Sequence, residues 1–163
     1  MTIKFGEGKK ARFIRFGKCK KPYEIRFGPA GLGPVKEAVE RLEEYHKLGL
    51  GACEIAFTYS VYIHDDKDAI EIGKKARELG IKLSIHAPYW LNLNSKEKKK
   101  IDESKKRILD CCRIGEKLGA YRVVFHAGYF GGMDKEETYE NIKNAVIDIQ
   151  NEIKKNKWKI KIA

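Results

Sequence analysis

The chain has 163 residues, 42% of them hydrophobic and 35% charged, which is typical of one globular domain and excludes a disordered chain. Its 34 Lys and Arg against 23 Asp and Glu leave a net charge of +11, which favours anionic partners, nucleic acid first, although a Lys- and Glu-rich solvated surface gives the same composition. No apolar run approaches the roughly 20 residues of a membrane span, and the basic stretch from Met1 to Lys21 lacks the apolar centre of a signal peptide. We therefore expect a cytoplasmic protein with no membrane partner.

Residues 1–23 form a basic N-terminal extension that precedes the main fold. The tetrads Ile3–Gly6, Ile14–Gly17 and Ile25–Gly28 resemble one another and are spaced 11 residues apart. This spacing predicts short strands or a hairpin. The main domain is then expected to span residues 24–163.

Strands alternate with helices along the main domain. Alternating or continuous apolar residues predict strands at Glu24–Gly28, Ala52–Phe57, Ile81–His86, Arg122–His126 and Lys159–Ala163. Helical spacing predicts helices at Pro34–Leu48, from Asp65 or Asp66 to Leu79, at Ser95–Leu118 and at Lys135–Lys155. Ile70 and Tyr139 are among the residues expected on inner helix faces.

This (βα)₄β order predicts an α/β protein with a parallel sheet and right-handed crossovers. Two architectures fit the order: an open doubly wound sheet, and half of an eight-stranded TIM-type β/α barrel whose sheet is incomplete at the C-terminus. No G-x-G-x-x-G follows the first strand, which disfavours a dinucleotide-binding fold.

The four cysteines are Cys19, Cys53, Cys111 and Cys112. None forms the C-x-x-C spacing of zinc ribbons and thioredoxin-like motifs. Reduced core or surface thiols are therefore the expected state of all four.

Two histidines, His86 and His126, stand at the ends of the third and fourth predicted strands. In both candidate architectures ligands bind at this edge of the sheet, and neighbouring strands lie about 4.8 Å apart. The two imidazoles are therefore predicted to converge on one metal ion, zinc being the cation that such ligands suit. A zinc site needs a third protein ligand, and Glu54 on the second strand is a local candidate, or else an ordinary carboxylate paired with a cation.

The other two histidines carry weaker predictions. His46 lies mid-helix, far from the strand ends, and is expected to be structural. His64 follows the second strand on the same edge as the candidate site, where it could approach the metal, but no spacing supports that role.

Aromatic residues follow both strand-end histidines. Tyr89 and Trp90 come shortly after His86, and Tyr129 and Phe130 come shortly after His126. Aromatic side chains in such loops either stack on nucleic-acid bases or pack beneath the loop itself. Both alternatives stay open for Tyr89, Trp90 and Tyr129.

The chain resembles the endonuclease IV family, the second family of apurinic/apyrimidinic endonucleases, which have xylose-isomerase-like barrels. The matching segments are Arg26–Gly31, Ser84–Tyr89 with Asn92-Leu93, and Val123–Gly128. They occur in the family's order, with helices of suitable length between them, over about residues 24–163. The two histidine segments are specific in combination and weak singly.

The resemblance implies a zinc-dependent DNA-repair hydrolase that cleaves the phosphodiester 5′ to an abasic site and holds up to three zinc ions. His86 and His126 match metal ligands, and Tyr89, with Trp90 beside it, matches a loop that penetrates DNA. The resemblance thus implies that Tyr89, Trp90 and Tyr129 contact DNA. Ala127 replaces the usual proline, and the loop from Thr58 to Val61 lacks the arginine found in some members.

Ala163 comes before the position at which the family has its fifth-strand Glu, so the resemblance implies an N-terminal half-barrel that is inactive alone. We expect it to self-associate or to pair with a C-terminal half, and to bind abasic duplex DNA once completed. The alternatives are a metal-dependent sugar isomerase or epimerase-like barrel and a non-catalytic nucleic-acid-binding module.

Overall fold

A computed structural model describes residues 25–163, together with the backbone of residues 2–5 and 12–15. Near the N-terminus, β1 (Thr2–Phe5) pairs antiparallel with β2 (Arg12–Arg15), with Ile3 opposite Ile14. The predicted short strands are thereby confirmed over Thr2–Phe5 and Arg12–Arg15. The rest of the predicted extension, with Cys19, and the residue Glu24 lie outside the described residues.

The main sheet is parallel, and its strands lie side by side in chain order. The strands are β3 (Ala52–Ala56), β4 (Lys82–His86), β5 (Arg122–Val124) and β6 (Lys161–Ile162). The helices are α1 (Ala38–Lys47), which a 3-10 turn at Val35–Glu37 precedes, α2 (Asp66–Glu78), α3 (Lys98–Leu118) and α4 (Lys135–Lys155). The predicted α/β class is therefore confirmed.

All four helices cover the same face of this sheet, since α1 packs on α2, α2 on α3 and α3 on α4. A doubly wound sheet instead distributes its helices over both faces. Successive right-handed crossovers in one direction produce the one-sided arrangement, which is the arrangement of a β/α barrel wall. Of the two architectures open at the sequence level, the structure therefore matches the half-barrel.

Burial alternates along each strand and distinguishes the two faces of the sheet. The residues that point at the helices are fully buried: Cys53, Ile55, Leu83, Ile85 and Val123. The residues between them lie on the opposite face, which we call the open face, and are half-buried: Ala52, Glu54, Ala56, Ser84, His86, Arg122 and Val124. The core therefore lies between sheet and helices, and the polar side chains gather on the open face.

Two helical glycines let the layers approach closely. A Cβ atom at Gly73 in α2 would lie 2.2 Å from the carbonyl oxygen of Leu118, and one at Gly115 in α3 would lie 2.2 Å from Cδ1 of Ile160. Neither separation leaves room for a methyl group, since nonbonded carbon atoms pack at about 3.5–4.0 Å. These positions set how tightly α3 packs against α2 and against the sheet.

The predicted first strand, Glu24–Gly28, is wrong as a regular strand. Residues 25–29 run beside β3 without forming a ladder, and Ala30 makes a single parallel bridge to Glu54. Phe27 and Pro29 offer carbonyl oxygens to Ala52 and Glu54, but proline has no N–H to donate. The segment therefore occupies the edge position of the sheet as irregular extended chain.

The starts of α2 and α4 agree with the sequence. The start of α3 does not, since α3 begins at Lys98 with Glu97 rather than the predicted Ser95 at its N-cap, and two inward-facing assignments are also wrong. Asp65 accepts the N–H of Lys67, and Asp134 accepts the N–H of Glu136, as capping residues do. Ile70 and Tyr139, both predicted to be inward-facing, are 48% and 59% exposed. None of the helices in the described part of the chain is both long and apolar enough to cross a membrane.

Candidate metal centre and aromatic rim

His86 ends β4 on the open face, and one of its ring nitrogens already has a partner. Its Nδ1 lies 2.8 Å from the carbonyl oxygen of Ala87. Because a carbonyl oxygen can only accept, this contact assigns the proton of the neutral ring to Nδ1 and leaves the Nε2 lone pair free. A backbone carbonyl on one nitrogen is the usual arrangement of a metal-binding histidine.

His126 comes to the same place from the neighbouring strand. His86 pairs in register with Val124, and His126 follows two residues later. The two imidazole rings lie with centroids 5.2 Å apart and planes tilted by 52°. The structure therefore brings the two predicted ligands together at the carboxyl ends of adjacent strands, where parallel β/α folds bind ligands.

Tyr89 completes a cluster of three rings. Its centroid lies 5.1 Å from that of His86 and 5.8 Å from that of His126. The backbone N–H of Tyr89 donates to the carbonyl oxygen of Thr58, which ties this loop to the loop after β3. The tyrosine ring therefore covers one side of the histidine pair and remains 53% exposed on its own outer side.

Two histidines fit a metal ion but do not complete a site. Among the described residues, no group of three or more His, Cys, Asp or Glu side chains could hold a metal ion. Glu54 is not brought to the pair, because it lies in register with Ser84, while Ala56 is the residue in register with His86. The predicted pair thus supplies two ligands of the three or more that zinc requires.

The other two histidines lie apart from this pair. Nδ1 of His46 lies 3.1 Å from the carbonyl oxygen of Leu79, and since a carbonyl oxygen only accepts, this nitrogen carries the proton and donates. This contact agrees with the structural role predicted for His46. His64 borders a separate concavity between the loop after β3 and α3, beside Tyr59 and Arg113.

The amide of Asn94 links the loops that follow β4 and β5. Asn94 is 1% exposed, and its Nδ2 donates to the carbonyl oxygens of Tyr129 and Phe130 and to Oγ1 of Thr138. Its Oδ1 accepts from Asn141. The loop that carries His126 is therefore fastened to the loop that carries Tyr89.

Sequence reasoning overlooked Asn94. A usable signal was present, because Asn92 and Asn94 alternate with the buried residues Leu91 and Leu93. A polar side chain among buried residues must find hydrogen-bond partners, and here the carbonyl oxygens of the neighbouring loop supply them.

Three predicted DNA-contacting aromatics lie at this rim with large exposed surfaces. Trp90 is 67% exposed and Tyr129 is 66% exposed, and both border the same concavity as Tyr89. Phe130, beside Tyr129, is 52% exposed. Of the two expectations for these loops, packing beneath the loop is excluded for Trp90 and Tyr129.

Similarity to known proteins agrees with this geometry. Residues 42–161 match the family described as the xylose isomerase-like TIM barrel. An uncharacterised protein of Methanocaldococcus jannaschii is 35% identical over 123 residues, which are 73% of this chain and 42% of that protein. The chain therefore spans less than half the length of this relative.

Solved structures of several activities share the fold. Endonuclease IV of Thermus thermophilus is 23% identical, with a TM-score of 0.59 over 77% of this chain and 48% of that one. L-ribulose 3-epimerase is 13% identical, with a TM-score of 0.68 over 85% of this chain and 48% of that one. A further protein of Thermus thermophilus, solved after soaking with ZnCl2, is 26% identical, with a TM-score of 0.60 over 82% of this chain and 52% of that one.

These likenesses confirm the predicted half-barrel, since each structure extends about as far again beyond the matched part. The endonuclease and the epimerase fit the same chain, so the fold does not separate their chemistries. The chain belongs to the xylose isomerase-like TIM barrel family.

Proposed function

We propose that this chain forms the N-terminal part of a zinc-dependent endonuclease of DNA-repair type, which hydrolyses the phosphodiester 5′ to an abasic site. The observation that carries the proposal is the cluster of His86, His126 and Tyr89 at the carboxyl ends of β4 and β5. A net charge of +11 supports a polyanionic substrate over a neutral one.

Each residue of the cluster has a distinct task in this proposal. Nε2 of His86, oriented by the Nδ1 contact to Ala87, and the ring of His126 would hold the cation. A divalent cation supplies Lewis acidity for phosphodiester hydrolysis. Tyr89 shields the imidazoles from water on one side, and its exposed side faces the DNA.

The chain alone is expected to bind DNA without cleaving it, since the described residues supply only two ligands. The test uses fluorescence anisotropy with a duplex that carries one tetrahydrofuran abasic analogue and with a matched intact duplex. Zinc should strengthen binding to the abasic duplex more than to the intact one, and His86→Ala with His126→Ala should abolish the difference. Equal affinity for both duplexes in zinc would refute the proposal.

A ketose epimerase or isomerase is the second candidate. It is supported by a cavity of about 810 Å³ on the open face, bordered by Glu54, Ser84 and Lys82, which is the size of a small-molecule site. This candidate would be favoured if a ketohexose raised the thermal midpoint of unfolding in the presence of zinc and the chain showed no preference for the abasic duplex.

We further propose that a second β/α segment covers the open face. The side chains of the open face, Arg122 among them, are only half-buried, whereas the parallel strands of β/α folds are covered on both faces. In a preparation of this chain alone, another copy supplies the segment. Sedimentation velocity should show mass increasing from micromolar to millimolar concentration, less so for Arg122→Ala; a monomer throughout would contradict self-association.

A further inference from the structure

A groove at the rim lies beside the histidine pair and has a lining of different chemistry. We call it the rim groove and define it by Tyr89, Trp90, Lys100, Glu103, Arg107 and Tyr129, so that one carboxylate borders it beside the two cations. Its volume is about 560 Å³, within the range of sites for small ligands. Neither of the two histidines borders it.

The aromatic part of the lining is unusually exposed. Tyr89, Trp90 and Tyr129 are each more than half exposed around one concavity. Large exposed apolar surface of this kind marks an interaction site when it is contiguous. The flat ring faces, rather than a deep apolar pocket, indicate a ligand that stacks.

The floor and far wall of the groove belong to a strongly basic segment. Residues 95–107 contain seven Lys or Arg and three Asp or Glu. Two of the cations, Lys100 and Arg107, border the groove itself. A ligand that places a ring between the aromatics would therefore place any attached phosphate beside two cationic side chains.

Both cations have carboxylate partners that an anion can replace. Lys100 lies 2.5 Å from Glu97, and Arg107 lies 3.8 Å from Glu103. Each of the four side chains is at least 46% exposed, and exposed ion pairs contribute little to stability. Arg107 also donates from Nη1 to the carbonyl oxygen of Trp90 at 3.2 Å, which holds the backbone of the most exposed of the three groove aromatics.

We propose that the rim groove binds an unpaired nucleotide of single-stranded DNA. The base stacks on Trp90 and Tyr129, and its phosphate lies at Lys100 and Arg107. Base faces are covered inside a duplex, so stacking of this kind selects unpaired nucleotides. The proposal deepens the proposed function, in which DNA is the partner of the same rim, but binding in the groove needs no metal.

Tryptophan fluorescence gives a direct test, because the chain has two Trp and only Trp90 borders the groove. The variant Trp158→Phe leaves Trp90 as the single reporter. With a chelator present and at low salt, hexathymidylate should quench its fluorescence, and the quenching should weaken as salt rises. A blunt G·C-rich duplex, long enough to stay paired at low salt, should quench far less at the same nucleotide concentration. If Trp158→Phe fails to fold, anisotropy of labelled hexathymidylate on the unmodified chain replaces it.

Variants of the lining test the geometry. Tyr129→Ala and Arg107→Gln should each weaken binding of labelled hexathymidylate about tenfold. Tyr139→Ala and Lys74→Gln are the matched controls, since both side chains are exposed and neither borders the groove. No quenching, equal quenching by the duplex, or an equal loss in the controls would overturn the proposal.

Zinc separates this proposal from the proposed function. Hexathymidylate should bind the unmodified chain as tightly in chelator as in zinc, since neither histidine borders the groove. If hexathymidylate bound but zinc gave no preference for the abasic duplex, the endonuclease proposal would be refuted and the groove proposal would stand. A zinc-dependent preference for the abasic duplex without hexathymidylate binding would refute the groove alone.

Discussion

The ring of Tyr89 stacks on the imidazole of His126, with 5.8 Å between centroids and 26° between planes. The same tyrosine lies 5.1 Å from His86, so three rings from two loops form one cluster. Aromatic contacts of this geometry are favourable beyond the area that they bury. The cluster therefore holds both imidazoles in place before a cation binds, which lowers the conformational-entropy cost of metal binding.

Removal of either clustered histidine should weaken zinc binding. We expect His86→Ala and His126→Ala each to lower zinc affinity by at least about tenfold. Loss of a group that only orients a metal ligand typically costs about 10–100-fold in affinity, and loss of the ligand itself should cost no less. Competition with a chromophoric chelator measures the affinity. His46→Ala is the matched control, since that exposed ring contacts only a distant helix end in the described structure. An equal loss in the control would contradict the assignment.

Asn94 should matter for stability although it touches neither imidazole. Asn94→Ala leaves the hydroxyl of Thr138 and the amide of Asn141 without this partner, and a buried polar group left unpaired costs about 1–3 kcal/mol. Urea denaturation measures the free energy of unfolding. Asn144→Ala, an exposed position on α4, should change it little. If Asn94→Ala lowered the free energy of unfolding no more than Asn144→Ala does, the amide of Asn94 would not fasten the two loops.

Acid should remove a link between α2 and α3. Hydrogen bonds from Lys117 and Arg113 hold the pKa of the Asp66 carboxyl below its usual value. A carboxyl with a lowered folded pKa stabilises the protein above its unfolded pKa of about 3.9, and that contribution is lost as pH falls through the folded pKa. Asp66→Asn should therefore lower the thermal midpoint at pH 7 and not at pH 2. An equal difference at both pH values would exclude the ionised carboxylate as the cause.

Three thiols should resist alkylation in the folded protein. Burial raises the pKa of Cys53 to about 11 and that of Cys112 to about 12, and it raises the pKa of Cys111 further. At pH 8 the thiolate fraction of Cys53 is then on the order of one in a thousand. Iodoacetamide followed by peptide mapping should label these three cysteines only after urea is added. Rapid labelling of Cys111 without urea would contradict its burial.

The proximity of the two strand-end histidines was predictable from the sequence, whereas the rotation of a helix about its own axis was not. Parallel strands place their carboxyl ends at one edge, so two histidines at strand ends had to lie close together. Ile70 was assigned to the core and is 48% exposed, because Ile72, two residues on, is the buried isoleucine of α2. Both choices satisfy a helical pattern, and packing against α3 decides between them.

The alternation around Asn94 indicates that this side chain needs partners, but which partners it finds depends on loop conformation, which the sequence pattern does not predict. Its partners lie between 35 and 47 residues away in the chain. Thr138 illustrates the same limit, since it is buried beneath this amide while Tyr139, the larger and more apolar neighbour, is 59% exposed. A rule that assigns burial by hydrophobicity alone therefore does not identify buried polar residues such as Asn94 and Thr138.

The order of the strands also governs how the sheet can assemble during synthesis. Ala52 pairs with Lys82, Ile85 with Val123, and Arg122 with Lys161, so each strand after β3 pairs with one made a few tens of residues earlier. Each of these strands therefore meets a partner that has already been synthesised. The histidine pair therefore depends on the docking of β5 against β4 and not on the pairing of β6.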